Sequence, residues 1–179
     1  MLFADVRGFT TLSEQLSPEQ MVYLLNEYLD VIADAVEEFG GVINQYQGDN
    51  MMVMFNASTP QPDHAQKAVQ TGLALQQAVA HYHAQNLPAA AQLEFGVGVN
   101  SGPALVGNIG AHRHYNFTVI GDTVNLAARI TGAAPPGEVW FSQTTREQLG
   151  HDIAVEPLPP LTFKGKSQPT PLFRALWRS

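Results

Sequence analysis

Over the first hundred residues the apolar pattern changes period in one order: strand, helix, strand, strand, helix, strand. Few folds accept it. Met1 to Val6 is an apolar strand segment, and Arg7-Gly8-Phe9-Thr10-Thr11 turns the chain. Ser17-Pro18-Glu19-Gln20 opens a helix: Ser17 caps, Pro18 fits the first turn and Gln20 completes a capping box. Met21, Leu25, Leu29, Ile32, Val36 and Phe39 recur at helical spacing until Gly40-Gly41 stops the helix. Val42 to Gln47 alternates as a strand, Gly48-Asp49-Asn50 turns tightly, and Met51 to Phe55 returns. Asp63 to about His83 predicts a second long helix, with Val69, Leu73, Gln76 and Ala80 roughly a turn apart. In the strand Leu93 to Asn100, Phe95, Val97 and Val99 alternate with small residues.

This is the split βαβ, ferredoxin-like order, so the fold class is α/β (α+β) with a βαββαβ core. Further strands and helices follow it. They comprise a hairpin around Gly110 to Phe117, a helix from about Thr123 to Ile130, and a strand at Val139. A short helix capped by Ser142 and strands near Leu161 and Phe173 complete a Pro-rich tail. With no internal repeat or long linker, residues 1–179 read as one domain, and an opening inside the first strand suits a module of a longer protein.

In such a core the first and second strands run parallel, with the third antiparallel between them. The turn joining strands two and three therefore lies at the sheet end where strand one closes. Asp5 ends strand one and Asp49 sits in that turn. Taken singly, one is a loop cap and the other an ordinary turn residue. Together at one sheet end they repel, and divalent ions relieve the conflict: Mg²⁺ prefers a couple of carboxylates plus substrate phosphates. Gly8 permits a close backbone approach there, and the amides of Phe9 and Thr10 can cradle phosphate oxygens.

A formal charge of −7 argues against a nucleic-acid binder, and with no cysteine, disulfides and thiolate metal sites are excluded. No apolar run approaches the roughly 20 residues of a membrane span, so no membrane contact by this domain itself is expected. The lack of cysteine suits a cytoplasmic protein or a cytoplasmic module of a larger, membrane-linked one. The pairs His81/His83 and His112/His114 lack a third ligand and read as solvated surface.

The strings FADVRGFTTLSE, GGVINQYQGDNMMVMF, YNFTVIGDTVNLAARI and FKGKSQP resemble, in order and spacing, the signature blocks of class III adenylyl and guanylyl cyclases. The resemblance runs from Leu2 to about Phe173. It implies a palm-like domain that forms homodimers head to tail, with active sites at the seam. It makes Asp5 and Asp49 ligands of two Mg²⁺ or Mn²⁺ ions, with the Val6 carbonyl contributing. It gives Asn125 the ribose, Arg129 the charge developing on the transferring phosphate, and Lys164 and Arg113 the triphosphate. Three of the nine basic residues then fall on triphosphate positions, which reconciles an acidic protein with an anionic substrate. Asn125 and Arg129, at i and i+4, share a helix face as this chemistry requires.

The reaction implied is attack of the ribose 3′-hydroxyl on the α-phosphorus with loss of pyrophosphate, aided by two metal ions. It yields 3′,5′-cyclic AMP from ATP, for signal transduction. Gln45 and Thr118 match the base-reading positions. Gln45 stands where adenylyl cyclases usually carry lysine and guanylyl cyclases glutamate, while Thr118 matches a bacterial adenylyl subgroup. Amide and hydroxyl can each donate or accept, so the polar complement does not by itself choose the base. ATP is favoured because Thr118 fits that subgroup and the glutamate is missing; a guanylyl or dual-specificity cyclase is the alternative. A diguanylate cyclase would need a GGDEF-type turn, which Gly48-Asp49-Asn50 does not supply. A catalytically weak nucleotide-binding domain finds support only in Gln45.

Overall fold

The expected six-element core forms, and the C-terminal third of the chain widens its sheet. The computed structural model describes residues 1–86, 92–111 and 113–177. Its elements are β1 (Leu2–Arg7), α1 (Phe9–Ser13), α2 (Pro18–Glu38), β2 (Val42–Gln47), β3 (Asn50–Met54), α3 (His64–Asn86) and β4 (Glu94–Val99). Then come β5 (Leu105–Ala111), β6 (His114–Ile120), α4 (Asp122–Ala133), β7 (Val139–Ser142), α5 (Gln143–Arg146), β8 (Ala154–Leu161) and β9 (Thr170–Leu176). Seven strands form one sheet in the order β2-β3-β1-β4-β7-β9-β8, while β5 and β6 pair as a separate hairpin. Because β3 lies antiparallel to both β1 and β2, those two run parallel.

The pleat sorts side chains to two faces. Leu2, Ala4, Val6, Phe95, Val97 and Val99 form one cluster with Leu24, Tyr28, Ile32 and Val36 of α2 and Val69, Leu75 and Val79 of α3. On the opposite face Phe3, Met52 and Met54 pack against Val119 of β6 and Ala127 of α4. Asp5 shares this second face with Phe3. So do Gly96 and Gly98 of β4, which pair with Asp5 and Phe3 respectively.

The Ser17–Gln20 capping box is present in both directions. The buried stripe of α2 differs from the expected one, being Met21, Leu24, Tyr28, Ile32, Ala35 and Val36, with Leu25 and Leu29 only partly buried. Tyr28 enters the core because its hydroxyl accepts the Leu93 amide at 3.0 Å, so its polar tip is satisfied inside. On α3 Val69 and Gln76 are buried as expected, but Leu75 and Val79 take the core positions expected of Leu73 and Ala80. The Gln76 amide donates to the Phe95 carbonyl at 2.8 Å. The segment after Arg7 is not a plain turn: Gly8, at φ 71°, starts the short helix α1. Three prolines of the tail, Pro157, Pro159 and Pro160, fall in β8, an edge strand, where a missing N–H breaks no interior ladder. Among the described residues no helix is long and apolar enough to cross a membrane.

Candidate active site

The two carboxylates meet as topology requires. Asp5 pairs in register with Asn50, and the Val6 amide donates to the Asp49 carbonyl at 3.2 Å, which ties the β2–β3 turn to the end of β1. Gly48, at φ 63°, makes that turn possible. Asp5 lies two residues inside β1, not at its last position. Its carboxylate accepts from the Arg7 guanidinium at 2.5 Å and from the Asn50 amide at 3.2 Å. Burial raises the Asp49 carboxyl pKa and the Asp5 charge adds to the rise, while its own backbone amide and Arg7 pull it down.

These residues fit divalent metal. An extended residue turns its N–H and C=O toward the same neighbour, so the Val6 carbonyl faces the Asp49 turn as its amide does. Two carboxylates and one carbonyl oxygen are hard donors of the kind Mg²⁺ or Mn²⁺ takes. Among the described residues no three His, Asp or Glu side chains gather, so the donor set stays small enough to need substrate oxygens. Gly8, Phe9 and Thr10 sit at the start of α1, beside this sheet end, with no side chain capping the helix. A Cβ on Gly8 would meet nothing within 4 Å, so its required property is the left-handed φ, not close packing.

A second group gathers around α4. Asn125 is exposed and Arg129 half-buried on the same face. A Cβ on Gly165 would lie 3.6 Å from an Arg129 guanidinium nitrogen, so Arg129 rests against the turn that carries Lys164. Lys166 holds that turn to α4 by an ion pair with Asp122 at 2.5 Å. Arg113 is exposed at the tip of the β5–β6 hairpin. Among the described residues Arg7, Lys67, Lys166 and Arg174 are ion-paired, whereas Arg113, Arg129 and Lys164 are not; Arg146 is the other unpaired cation. Three cations left without counter-ions suit an anionic ligand. Among the described residues no hydrogen bond or ion pair joins Asp5 or Asp49 to Asn125, Arg129 or Lys164.

Gln45 reaches the right face through a bulge. β2 pairs Ile43 with Val53 but Gln45 with Met52, so Asn44 is an extra residue. Regular alternation would put Gln45 beside Ile43 on the α2 side. The bulge moves it to the face of Met52, where the β5–β6 hairpin and Thr118 lie. His81 and His83 bond Gln85 and the Leu93 carbonyl. His114 is exposed on β6, and His112 lies outside the described residues.

Sequence reasoning missed Arg7, Asn50, Asn44 and the Lys166–Asp122 tie. Only Arg7 had a signal: a cation two residues after Asp5 in a strand shares its face.

Residues 1–173 match the family described as the adenylate and guanylate cyclase catalytic domain. "Adenylate cyclase 1" of Rhizobium meliloti is 36% identical over 132 residues, covering 73% of this chain and 20% of that protein. The crystal structure of the adenylyl cyclase CyaB from P. aeruginosa superposes with a TM-score of 0.90 at 33% identity, covering 99% of this chain and 93% of that one. The guanylyl cyclase Cya2 superposes with a TM-score of 0.84 at 35% identity, covering 97% and 89%. The chain spans a fifth to three tenths of the length of the curated relatives it matches.

Proposed function

The chain belongs to the adenylate and guanylate cyclase catalytic-domain family, and from that premise we propose that it converts ATP to 3′,5′-cyclic AMP and pyrophosphate, as the catalytic module of a longer signalling protein. The observation that carries this reading is the meeting of Asp5, Asp49 and the Val6 carbonyl at one end of the sheet.

Asp5, Asp49 and Val6 would hold two divalent ions, which when bound neutralise phosphate charge and acidify the ribose 3′-hydroxyl. The chain's own residues do the rest. Asn125 hydrogen-bonds the ribose and aims its 3′-oxygen at the α-phosphorus. A new O–P bond forms as the bond from the α-phosphorus to the bridging β-phosphate oxygen breaks. Pyrophosphate carries off that electron pair, and the 3′-hydroxyl proton is released to water. Arg129 faces the negative charge that grows on the α-phosphoryl oxygens, a contact that can be worth roughly 10³-fold in rate. Lys164, Arg113 and the amides of Phe9 and Thr10 hold the departing phosphates. Gln45 and Thr118 receive the base.

In this reading Asp5, Asp49 and Arg113 act with Gln45, Thr118, Asn125, Arg129 and Lys164 of a second copy. That no hydrogen bond or ion pair among the described residues joins Asp5 or Asp49 to Asn125, Arg129 or Lys164 is compatible with that division. So are the exposed Leu105, Tyr115, Phe117 and Ile120 on the hairpin, Val22 and Tyr23 on α2 and Tyr46 on β2, apolar side chains that a C2 dimer would cover. The test is cyclic nucleotide production by purified protein with ATP and GTP in parallel, at several protein concentrations, with Mg²⁺ or Mn²⁺. Asp5→Asn and Asp49→Asn should abolish turnover and leave the circular dichroism unchanged. Full activity in either folded variant would sink the metal assignment.

A further inference from the structure

Asn44 bridges the two base-reading strands. Its amide nitrogen donates to the Phe117 carbonyl at 2.9 Å, and its amide oxygen accepts from the Thr118 hydroxyl at 3.1 Å. The orientation of this amide is forced. A carbonyl can only accept, so the atom facing Phe117 must be the nitrogen. The oxygen is then turned to Thr118. It cannot donate, so the single hydroxyl proton of Thr118 is committed to it. What Thr118 presents to a ligand is lone pairs only.

We infer that Asn44 is a specificity-determining positioning residue, which fixes the Thr118 hydroxyl as a hydrogen-bond acceptor and so selects a purine with a 6-amino group over one with a 6-oxo group. The inference rests on the function proposed above and deepens it. Taken alone, the hydroxyl is ambiguous, and so is Gln45, whose half-buried amide has no hydrogen-bond partner among the described residues and is free to turn either end to a base. Asn44 removes the ambiguity at one of the two positions. Adenine offers a donor at N6, which an acceptor satisfies, whereas guanine offers the O6 acceptor, which it repels. The bulge at residue 44 makes this possible, because the extra residue sends Asn44 and Gln45 to the same face, toward β6.

The test compares kcat/KM for ATP, GTP and purine riboside triphosphate, which carries no substituent at position 6. The proteins are wild type, Asn44→Ala, Asn44→Asp, Thr118→Val and the double variant Asn44→Ala/Thr118→Val. A freed hydroxyl can turn its proton to guanine, so Asn44→Ala should lower the ATP-to-GTP ratio roughly tenfold, the worth of one hydrogen bond of the right polarity. The change should lie mainly in KM, and purine riboside triphosphate should be used about as well as before. Asn44→Asp loses the bond to the Phe117 carbonyl but still offers Thr118 an acceptor, and should keep the ratio. In the Thr118→Val background Asn44→Ala should change nothing further. If Asn44→Ala weakens all three nucleotides alike, or leaves the ratio where it was, the residue is only a structural clip and the inference fails. Should wild type turn over neither ATP nor GTP, the proposed reaction fails separately. Equilibrium binding of the two nucleotides with Mn²⁺ to wild type and Asn44→Ala then reads the same ratio, and equal ratios again overturn the inference.

Discussion

Adding one methyl at Gly98 drives a wedge between β4 and α4. A Cβ there would collide with the backbone nitrogen and the hydroxyl of Thr131 and lie 2.7 Å from the Thr131 Cα. Carbon atoms rest at about 3.5–4.0 Å, so α4 must retreat by about 1 Å. Thr131 cannot swing aside: it is 1% exposed and its hydroxyl donates to the Ala127 carbonyl at 2.9 Å. Two effects compete in Gly98→Ala. The variant restricts the unfolded chain, which is worth about 0.4–1 kcal/mol, and Gly98 has no left-handed φ to offset that gain. Overpacking costs about 1–3 kcal/mol. The clash here is with backbone, so the cost falls at the upper end and the net destabilisation is about 2 kcal/mol. For a chain of this size that lowers Tm by roughly 4–8 °C. Activity should fall further than stability, because α4 carries Asn125 and Arg129, and a 1 Å misplacement can cost about 100-fold. Gly132, on the same helix, is the control: a Cβ there meets nothing within 4 Å. Gly132→Ala should gain about 0.5–1 kcal/mol of helix stability and keep its activity. Thermal melts by circular dichroism, with cyclase rates on the same samples, read both. A Gly98→Ala protein as stable and active as wild type would refute the close seating of α4 on β4.

Asp49→Asn, inactive as a cyclase, should nonetheless stabilise the metal-free fold at neutral pH. Folding raises the Asp49 pKa, so its charged form costs stability above that pKa, and the gap to wild type should close as pH falls through it; urea melts across pH measure this. Mixing Asp49→Asn with Arg129→Ala should restore activity, because one seam of the mixed dimer is then wild type throughout. A mixture that stays inactive, although mixed dimers form, rules out shared sites. Gln45→Lys should keep or raise ATP use, since an ammonium donates well to adenine N1, and Gln45→Glu should favour GTP. An ATP-to-GTP ratio of kcat/KM that is the same in both variants and wild type removes Gln45 from the base pocket.

The scaffold of the site could be read from the chain because each part of it is local or topological. The Ser17–Gln20 box, the glycine stop after α2 and the period changes are interactions between near neighbours in sequence. The meeting of Asp5 and Asp49 needs only the rule that β3 lies between β1 and β2. The details failed where a side chain's fate hung on a distant partner. Tyr28 displaces the expected α2 stripe because the Leu93 amide waits for its hydroxyl. Arg7 leaves the surface to reach Asp5 and the carbonyls of Thr131 and Ala134, along a path that Gly96 keeps open.

The sequence by itself therefore determined the element order, the parallel run of β1 and β2 on either side of β3, and the placing of Asp5 and Asp49 at one sheet end. Those follow from the helix and strand periods and from chain connectivity, which every compact arrangement must respect, whereas the basic candidates came with the resemblance to the cyclase motifs. Tertiary structure alone decided which way Gln45 points and what Thr118 can accept. A bulge in β2 reverses the alternation that the string VINQYQ suggests, and Asn44, 73 and 74 residues from its partners, sets the direction of a hydroxyl proton. No local preference encodes either outcome. A bulge is placed by the register of two strands with their neighbours, and the polarity of a hydroxyl by the one acceptor that folding brings beside it.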